Sequence, residues 1–238
     1  MSQLTTQQAK AEGLNADGRR RLVQVFGMVI IYAVFLFVPA GTLRWWNAWA
    51  YLGLFVFSIL TAGVYVGRKH PDIVNERGRR SENTKPFDKV FGALTIPLGL
   101  GAFAVAGLDH RFDWSIVPLW MQIVGFIGLL PSAFMPYWVM YVNAYAATTV
   151  RVETERGHHV VTDGPYRYVR HPMYITTIIG CLFDPFAFGS WRMAIPTATL
   201  AILFIWRTAN EDRTLRAELP GYEEYARQTR YRLVPGLW

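Results

Sequence analysis

Residues 22–43 read LVQVFGMVIIYAVFLFVPAGTL and contain no charged side chain. A helix needs about 20 apolar residues to cross the hydrocarbon core of a bilayer, and this run is long enough to do so. The chain as a whole is also apolar, because 52% of its residues are hydrophobic, nine are Trp and the mean hydropathy is +0.18. We therefore predict an all-α integral membrane protein rather than a soluble helical bundle.

Further apolar runs extend this prediction to a multi-span bundle of five to six hydrophobic segments. The other segments are 48–67, 90–108, 116–141, 191–206 and the shorter 172–190, which carries Asp184 near its far end. The predicted organisation is a flexible cytoplasmic tail (1–21), N-terminal transmembrane helices (22–141) and a C-terminal region with a helical hairpin (142–238).

The placement of Lys and Arg predicts the orientation. If all six segments cross and the N-terminus is cytoplasmic, every Lys and Arg except Arg44, Arg111 and Arg192 falls on the cytoplasmic side. Basic residues collect on that side of membrane proteins. We therefore expect both termini and the active face in the cytoplasm, in a plasma, inner or endoplasmic reticulum membrane. The net charge of +7 suits anionic lipid head groups, so membrane lipids, and no nucleic acid, are the predicted partners.

A polar segment, Gly157–Tyr174, reads GHHVVTDGPYRYVRHPMY and lies between apolar runs. A residue before proline is pushed out of the α region, and proline is favoured at the first helical position. The sequence therefore predicts a helix that begins at Pro172, with free N–H groups at Met173 and Tyr174 that favour an anion or a polar group. The turn at 162–165 would fold the preceding residues back toward this helix start.

A second polar element follows the apolar run 191–206. Arg207 and Glu211 are four residues apart and lie on the same face of a helix, which Leu215 continues. Ionisable residues at the border of a span pair with one another or line a site. An interfacial ion pair and one wall of a functional site are both compatible with this spacing. The loop 68–89 is interpreted as a solvated interfacial loop, with a cap over the site as the alternative.

Together these elements resemble a known family. The motifs Gly-Pro-Tyr (164–166), Arg-His-Pro-x-Tyr (170–174) and Glu-Asp-x-x-Leu (211–215), with the tail 222–235, are similar to the isoprenylcysteine carboxyl methyltransferases. This integral-membrane group also resembles phospholipid N-methyltransferases, and the resemblance covers roughly residues 140–238. Two positions depart from the family pattern, because Arg151 stands where eukaryotic members have Gln and Asp212 replaces a Glu.

The resemblance implies a site for S-adenosylmethionine that is reached from the cytoplasm. It also implies a lipophilic small-molecule or prenylated acceptor that enters from the bilayer. Arg207 and Glu211 would be the catalytic residues, with Arg207 toward the acceptor substrate. No metal is expected. The implied cofactor contacts are His158, His159, Val160, Val161, Tyr166, His171, Pro172, Met173, Tyr174 and Glu211.

The resemblance implies that the acceptor is the carboxylate of an isoprenylcysteine-like substrate, which would be ionised at neutral pH and would need no general base. A thiol or a phospholipid amine is an alternative, and it would need a base such as His158, His159 or His171. An NADPH-dependent reductase of the sterol type is a further alternative, disfavoured by the Glu-Asp-x-x-Leu motif. A transporter or scaffold is disfavoured because the polar groups collect at one face and not at mid-membrane.

Overall fold

The computed structural model describes residues 15–69, 71–78, 85–143, 145 and 159–238. Every regular element in these ranges is helical, which confirms the predicted all-α class. A short 3-10 helix spans Gly164–Arg167. The α-helices are α1 (Ala16–Ala40), α2 (Trp46–Lys69), α3 (Pro71–Gly78), α4 (Pro86–Phe112), α5 (Leu119–Val142), α6 (Pro172–Phe188), α7 (Ala194–Glu218) and α8 (Tyr222–Gln228).

Four helices of the described chain, α1, α2, α4 and α5, are long and apolar enough to cross a membrane. The two remaining predicted segments differ from these. Helix α6 is apolar but has 17 residues, and α7 has 25 residues of which the C-terminal half is charged. The hydrophobic segments are therefore four candidate spans, one shorter apolar helix and one helix that continues from an apolar into a polar environment.

Helix α1 begins earlier than the sequence predicts. Asn15 is its N-cap, and the Asn15 side chain accepts a hydrogen bond from the Gly18 N–H at 3.0 Å. Asn is a preferred cap because its short side chain reaches the first unpaired donors of the helix. Residues 16–21, which we predicted as tail, are therefore helical, and Arg21 is fixed on the first turns of α1. The predicted tail residues 1–14 lie outside the described part of the chain.

Helices α5 and α6 form a close hairpin through two glycines. A Cβ on Gly125 would overlap the backbone nitrogen of Ala187, and one on Gly128 would overlap the ring of Phe183. Small residues allow membrane helices to approach this closely, so packing contributes where the hydrophobic effect cannot. The hairpin thereby sets the start of α6 beside the end of α5, where the site lies.

A polar cluster stabilises the opposite end of the bundle. The buried carboxylate of Asp109 accepts hydrogen bonds from Ser115 at 2.7 Å and from Ser190, and Ser190 in turn accepts from the Met193 N–H at 3.2 Å. These contacts connect the end of α4 to the turn between α6 and α7. Because each group has a partner, we assign this cluster a structural role.

The loop 68–89 is not the solvated loop that we favoured, at least over its described part. Residues 71–78 form helix α3, which packs against α1 and α2. Ile73 is 3% exposed and forms a small apolar cluster with Met140. This burial explains the difference, because a helix with an apolar anchor packs onto the bundle instead of remaining in solvent.

Candidate cofactor and substrate site

A cavity of about 540 Å³ lies between the N-terminal half of α1, helix α3, the start of α6 and the polar half of α7. Its volume falls within the range of roughly 300–1,000 Å³ that is typical of small-molecule sites. Residues 159–161 and the short helix α8 complete its wall. One cavity therefore joins the two polar elements of the sequence, and α3 contributes to its lining through Arg77.

Every predicted site residue that the structure describes lines this cavity. His158 and Arg151 lie outside the described residues, so their placement stays a prediction. The binding roles of the other predicted residues also stay predictions, whereas the structure shows that these residues line one cavity. The residues brought together are His159, Val160, Val161, Tyr166, His171, Pro172, Met173, Tyr174, Arg207 and Glu211.

The start of α6 has the predicted geometry, with one correction. Pro172 is the first helical residue, and His171 stands before it with φ −126° and ψ 61°, outside the helical region. The Tyr174 N–H, however, donates to the His171 carbonyl at 3.1 Å. It is therefore not a free donor, because the first turn of α6 tightens into an i to i+3 contact.

Glu211 is the acid of the cavity wall. The Tyr174 hydroxyl donates a hydrogen bond to its carboxylate, and His171 Nδ1 lies 3.9 Å from Glu211 Oε1. The rings of His171 and Tyr174 stack with their centroids 5.9 Å apart. A carboxylate beside aromatic faces is an environment that favours a cationic ligand.

The second acid of the motif, Asp212, is fully buried and binds three arginines. Arg170 binds both carboxylate oxygens, at 2.7 and 3.2 Å, while Arg216 and Arg232 donate at 3.1 and 3.0 Å. Burial by itself would raise the pKa of Asp212. Hydrogen bonds from His171, Arg170 and Arg232 outweigh burial and hold this pKa well below its usual range.

The same carboxylate orients His171. Asp212 Oδ1 lies 3.3 Å from His171 Nε2 and accepts a hydrogen bond from the Tyr222 hydroxyl at 3.0 Å. The backbone supports this arrangement, because the His171 N–H donates to the Arg232 carbonyl at 2.9 Å. Asp212 therefore holds the C-terminal segment against the start of α6, and it does not line the cavity itself.

Sequence reasoning missed most of this buried network. The sequence places Arg170 in the Arg-His-Pro-x-Tyr motif and Tyr222 and Arg232 in the tail, but it indicates no role for them. The second acid of the Glu-Asp-x-x-Leu motif could have indicated this network. Adjacent side chains on a helix point about 100° apart, so the two acids cannot both face one cavity. Asp212 therefore had to face another element, and that element is the C-terminal segment.

Arg207 has an acidic partner that the sequence did not reveal. Its Nη2 lies 2.9 Å from Asp88 Oδ1 on α4. Its guanidinium also stacks over Phe91 and Tyr174, at 4.5 and 5.3 Å from the ring centroids. Asp88 thus fixes Arg207 at the cavity wall, beside the tyrosine that binds Glu211.

Tyrosines form much of the remaining wall. Tyr166 accepts a hydrogen bond from Asn143 at 2.9 Å, and the Tyr225 hydroxyl donates to the Tyr166 carbonyl at 2.8 Å. Burial raises the pKa of Tyr166 above its usual value, so the phenol stays neutral. The wall can therefore present aromatic faces without adding a negative charge.

Candidate membrane spans beside a polar, ligand-sized cavity define a polytopic membrane protein with a site at one end of its helices. Residues 124–217 match the model of the isoprenylcysteine carboxyl methyltransferase (ICMT) family. The matched segment runs from α5 through α7 and contains Glu211 and the Arg-His-Pro-x-Tyr motif. The predicted resemblance is confirmed over this segment, and it supports a membrane methyltransferase in general terms.

The curated relatives that the chain matches carry other names. The chain is 28% identical over 138 residues to the cobalt-zinc-cadmium resistance protein CzcN of Cupriavidus metallidurans, covering 53% of this chain and 56% of the relative. It is 22% identical over 166 residues to the chloroplastic 15-cis-zeta-carotene isomerase of Zea mays, covering 68% and 43%. The chain spans about half the length of the curated relatives it matches.

Proposed function

We propose that this protein is an S-adenosylmethionine-dependent methyltransferase that modifies a lipophilic acceptor, namely the carboxylate of an isoprenylcysteine-like substrate. The observation that carries this proposal is the convergence of Glu211, Tyr174 and residues 159–161 on one cavity that the family-matched segment largely forms. The proposed orientation places this cavity at the cytoplasmic face, as the distribution of Lys and Arg predicts.

The residues present fit such a cofactor. Glu211 offers a carboxylate to a cationic ligand, and the ring faces of Tyr166 and Tyr174 add cation–π attraction of about 0.5–2 kcal/mol. Val160 and Val161 supply apolar wall beside them. When bound, the cofactor supplies a methyl group on a sulfonium, which is already activated for displacement. The chain then has to align donor and acceptor and exclude water, and alignment alone contributes up to roughly 7–11 kcal/mol.

The histidine contacts are compatible with a carboxylate acceptor. His171 lies within 3.3 Å of Asp212 and 3.4 Å of the Tyr222 hydroxyl, so its Nε2 is engaged in the buried network. His159 contacts the Tyr145 hydroxyl at 3.2 Å. A carboxylate acceptor needs no proton removed, so neither histidine has to leave these contacts. Arg207 can orient the carboxylate through its planar fork.

Isothermal titration of the detergent-purified protein tests the proposed function. We expect S-adenosylhomocysteine, which keeps the adenosine and the amino acid of the proposed cofactor, to bind and NADPH not to bind. Binding of NADPH alone would overturn the methyltransferase proposal in favour of a reductase. Transfer of a labelled methyl group to N-acetyl-S-farnesyl-cysteine, measured in the same detergent, tests the acceptor.

Replacing Arg207 by Lys is expected to spare cofactor binding and impair turnover. Lysine keeps the charge opposite Asp88 but loses the planar fork, so we expect kcat/KM for the farnesylated probe to fall roughly 10- to 100-fold. Asp88→Asn keeps the guanidinium and weakens its anchor, so we expect it to lower kcat/KM less than Arg207→Lys does. Unchanged kcat/KM in Arg207→Lys, with normal folding, would contradict a role in acceptor binding.

A further inference from the structure

Two cations of the cavity have no acidic partner among the residues that the structure describes. Arg170 and Arg207 line the cavity and bind Asp212 and Asp88, as described above. Within the described residues, Arg21 makes no hydrogen bond or ion pair, and neither does Arg77 with any carboxylate. The unmatched positive charge therefore comes from α1 and α3.

The surroundings of Arg77 leave the hydrogen-bonding capacity of its guanidinium largely unsatisfied. Its Nη1 and Nη2 contact the sulfur atoms of Met140 and Met173, at 2.8 and 3.7 Å, and thioethers are weak acceptors. Its Nε is buried and has no hydrogen-bond partner in the described chain. Burial, together with the like charge of Arg21, lowers the pKa of Arg77 to about 10, so it remains a cation at neutral pH.

Arg21 lines the cavity from α1, a helix long and apolar enough to cross a membrane. Arg21 and Met28 are two turns apart on the same face of α1, and both line the cavity. The nearby Val23 is 73% exposed on the outer face of this candidate span. Among the described lining residues, Glu211 is the acidic side chain, and it already binds Tyr174. An anion that reaches this part of the cavity would therefore meet two uncompensated guanidinium groups.

We propose that Arg21 and Arg77 form a receptor for the anionic head group, a carboxylate or a phosphate, of the lipophilic acceptor. This inference rests on the proposed function and deepens it, because it adds two cations to Arg207, whose own charge Asp88 offsets, in the cavity that would hold the acceptor's anionic group. Guanidinium forks match both anions with paired hydrogen bonds. Met28 and Phe204 supply apolar lining for the adjoining tail.

The position of the two arginines favours the acceptor over the carboxylate of the cofactor. Arg21 and Arg77 lie outside the family-matched segment 124–217, whereas the predicted cofactor residues described here lie within it. Residues that recognise a shared cofactor are expected in the shared segment. The N-terminal half of this chain therefore supplies the part of the cavity that distinguishes its acceptor.

The test uses two pairs of probes that differ in charge. N-acetyl-S-farnesyl-cysteine and farnesyl phosphate are charged, and the methyl ester of the former and farnesol are their neutral counterparts. Each probe is titrated into the wild type, Arg21→Met and Arg77→Met. Methionine keeps an unbranched apolar stem beside Met140 and Met173, so folding is expected to survive. We expect each variant to bind the charged probes about 10- to 100-fold more weakly and the neutral probes almost unchanged. Arg213→Met, on the exposed face of α7, is the matched control and should change nothing.

The outcomes separate this inference from the proposed function. Unchanged affinity of both variants for both charged probes overturns the receptor, while normal binding of S-adenosylhomocysteine leaves the proposed function standing. If the variants weaken S-adenosylhomocysteine but not 5′-methylthioadenosine, which lacks the amino-acid carboxylate, the acceptor assignment is overturned. Failure of the wild type to bind S-adenosylhomocysteine refutes the proposed function without altering the comparison of charged and neutral probes.

Discussion

Replacing Glu211 by Ala is expected to weaken binding of S-adenosylmethionine by about 100-fold, the upper range for removal of a charged partner. Glu211 is the acidic side chain of the described cavity lining, and its removal leaves the Tyr174 hydroxyl without its acceptor. Titration of the detergent-purified variant measures the loss. The variant should remain folded, because Glu211 lies at the cavity wall and is not fully buried.

A comparison of two ligands tests which part of the cofactor Glu211 contacts. S-adenosylmethionine carries a sulfonium charge that S-adenosylhomocysteine lacks, so Glu211→Gln should weaken the former more if the carboxylate faces the sulfur. Equal weakening of both ligands would place the carboxylate near another group of the cofactor. Glu218→Ala, which removes an exposed acid of the same helix, is the control. Full affinity of Glu211→Ala for both ligands would mean that the cofactor lies elsewhere.

Local rules of the chain predicted the parts of the site that depend on neighbouring residues. The helix start at Pro172 follows from the restricted backbone of His171, and the shared face of Arg207 and Glu211 follows from helical periodicity. The all-α class follows from the length of the apolar runs. Each of these inferences needs only residues within a few turns of one another.

Contacts between distant helices could not be predicted in this way. Asp88 and Arg207 meet because α4 packs against α7, and Arg77 enters the cavity because α3 folds onto α1. Neither arrangement leaves a periodic pattern in the sequence. The apolar runs also underestimated α1, because the helix begins at Ala16 behind its Asn15 cap and not at residue 22.

Replacing Asp212 by Ala is expected to destabilise the protein by about 3–5 kcal/mol, the range for breaking a buried ion pair from one side. The change leaves Arg170, which is 4% exposed, buried without its carboxylate, and it also removes the acceptor of the Tyr222 hydroxyl. The C-terminal segment should detach from α6. Thermal unfolding in detergent and faster tryptic cleavage after Arg230 and Arg232 measure the two effects.

An exposed ion pair of the same chemistry is the control for this prediction. Asp163 binds Arg167 at 3.1 Å with both side chains largely exposed, and such pairs contribute about 0–1 kcal/mol. Asp163→Ala should therefore leave unfolding and cleavage almost unchanged.

The contribution of Asp212 to stability depends on pH in a defined direction. Because the pKa of Asp212 is depressed in the folded protein, this contribution is present above the unfolded pKa of about 3.9 and is lost only as the pH falls below that value. The deficit of Asp212→Ala should consequently persist from about pH 5 to pH 8. A deficit that disappears within this range would contradict the assignment of Asp212 as the ionised anchor of the C-terminal segment.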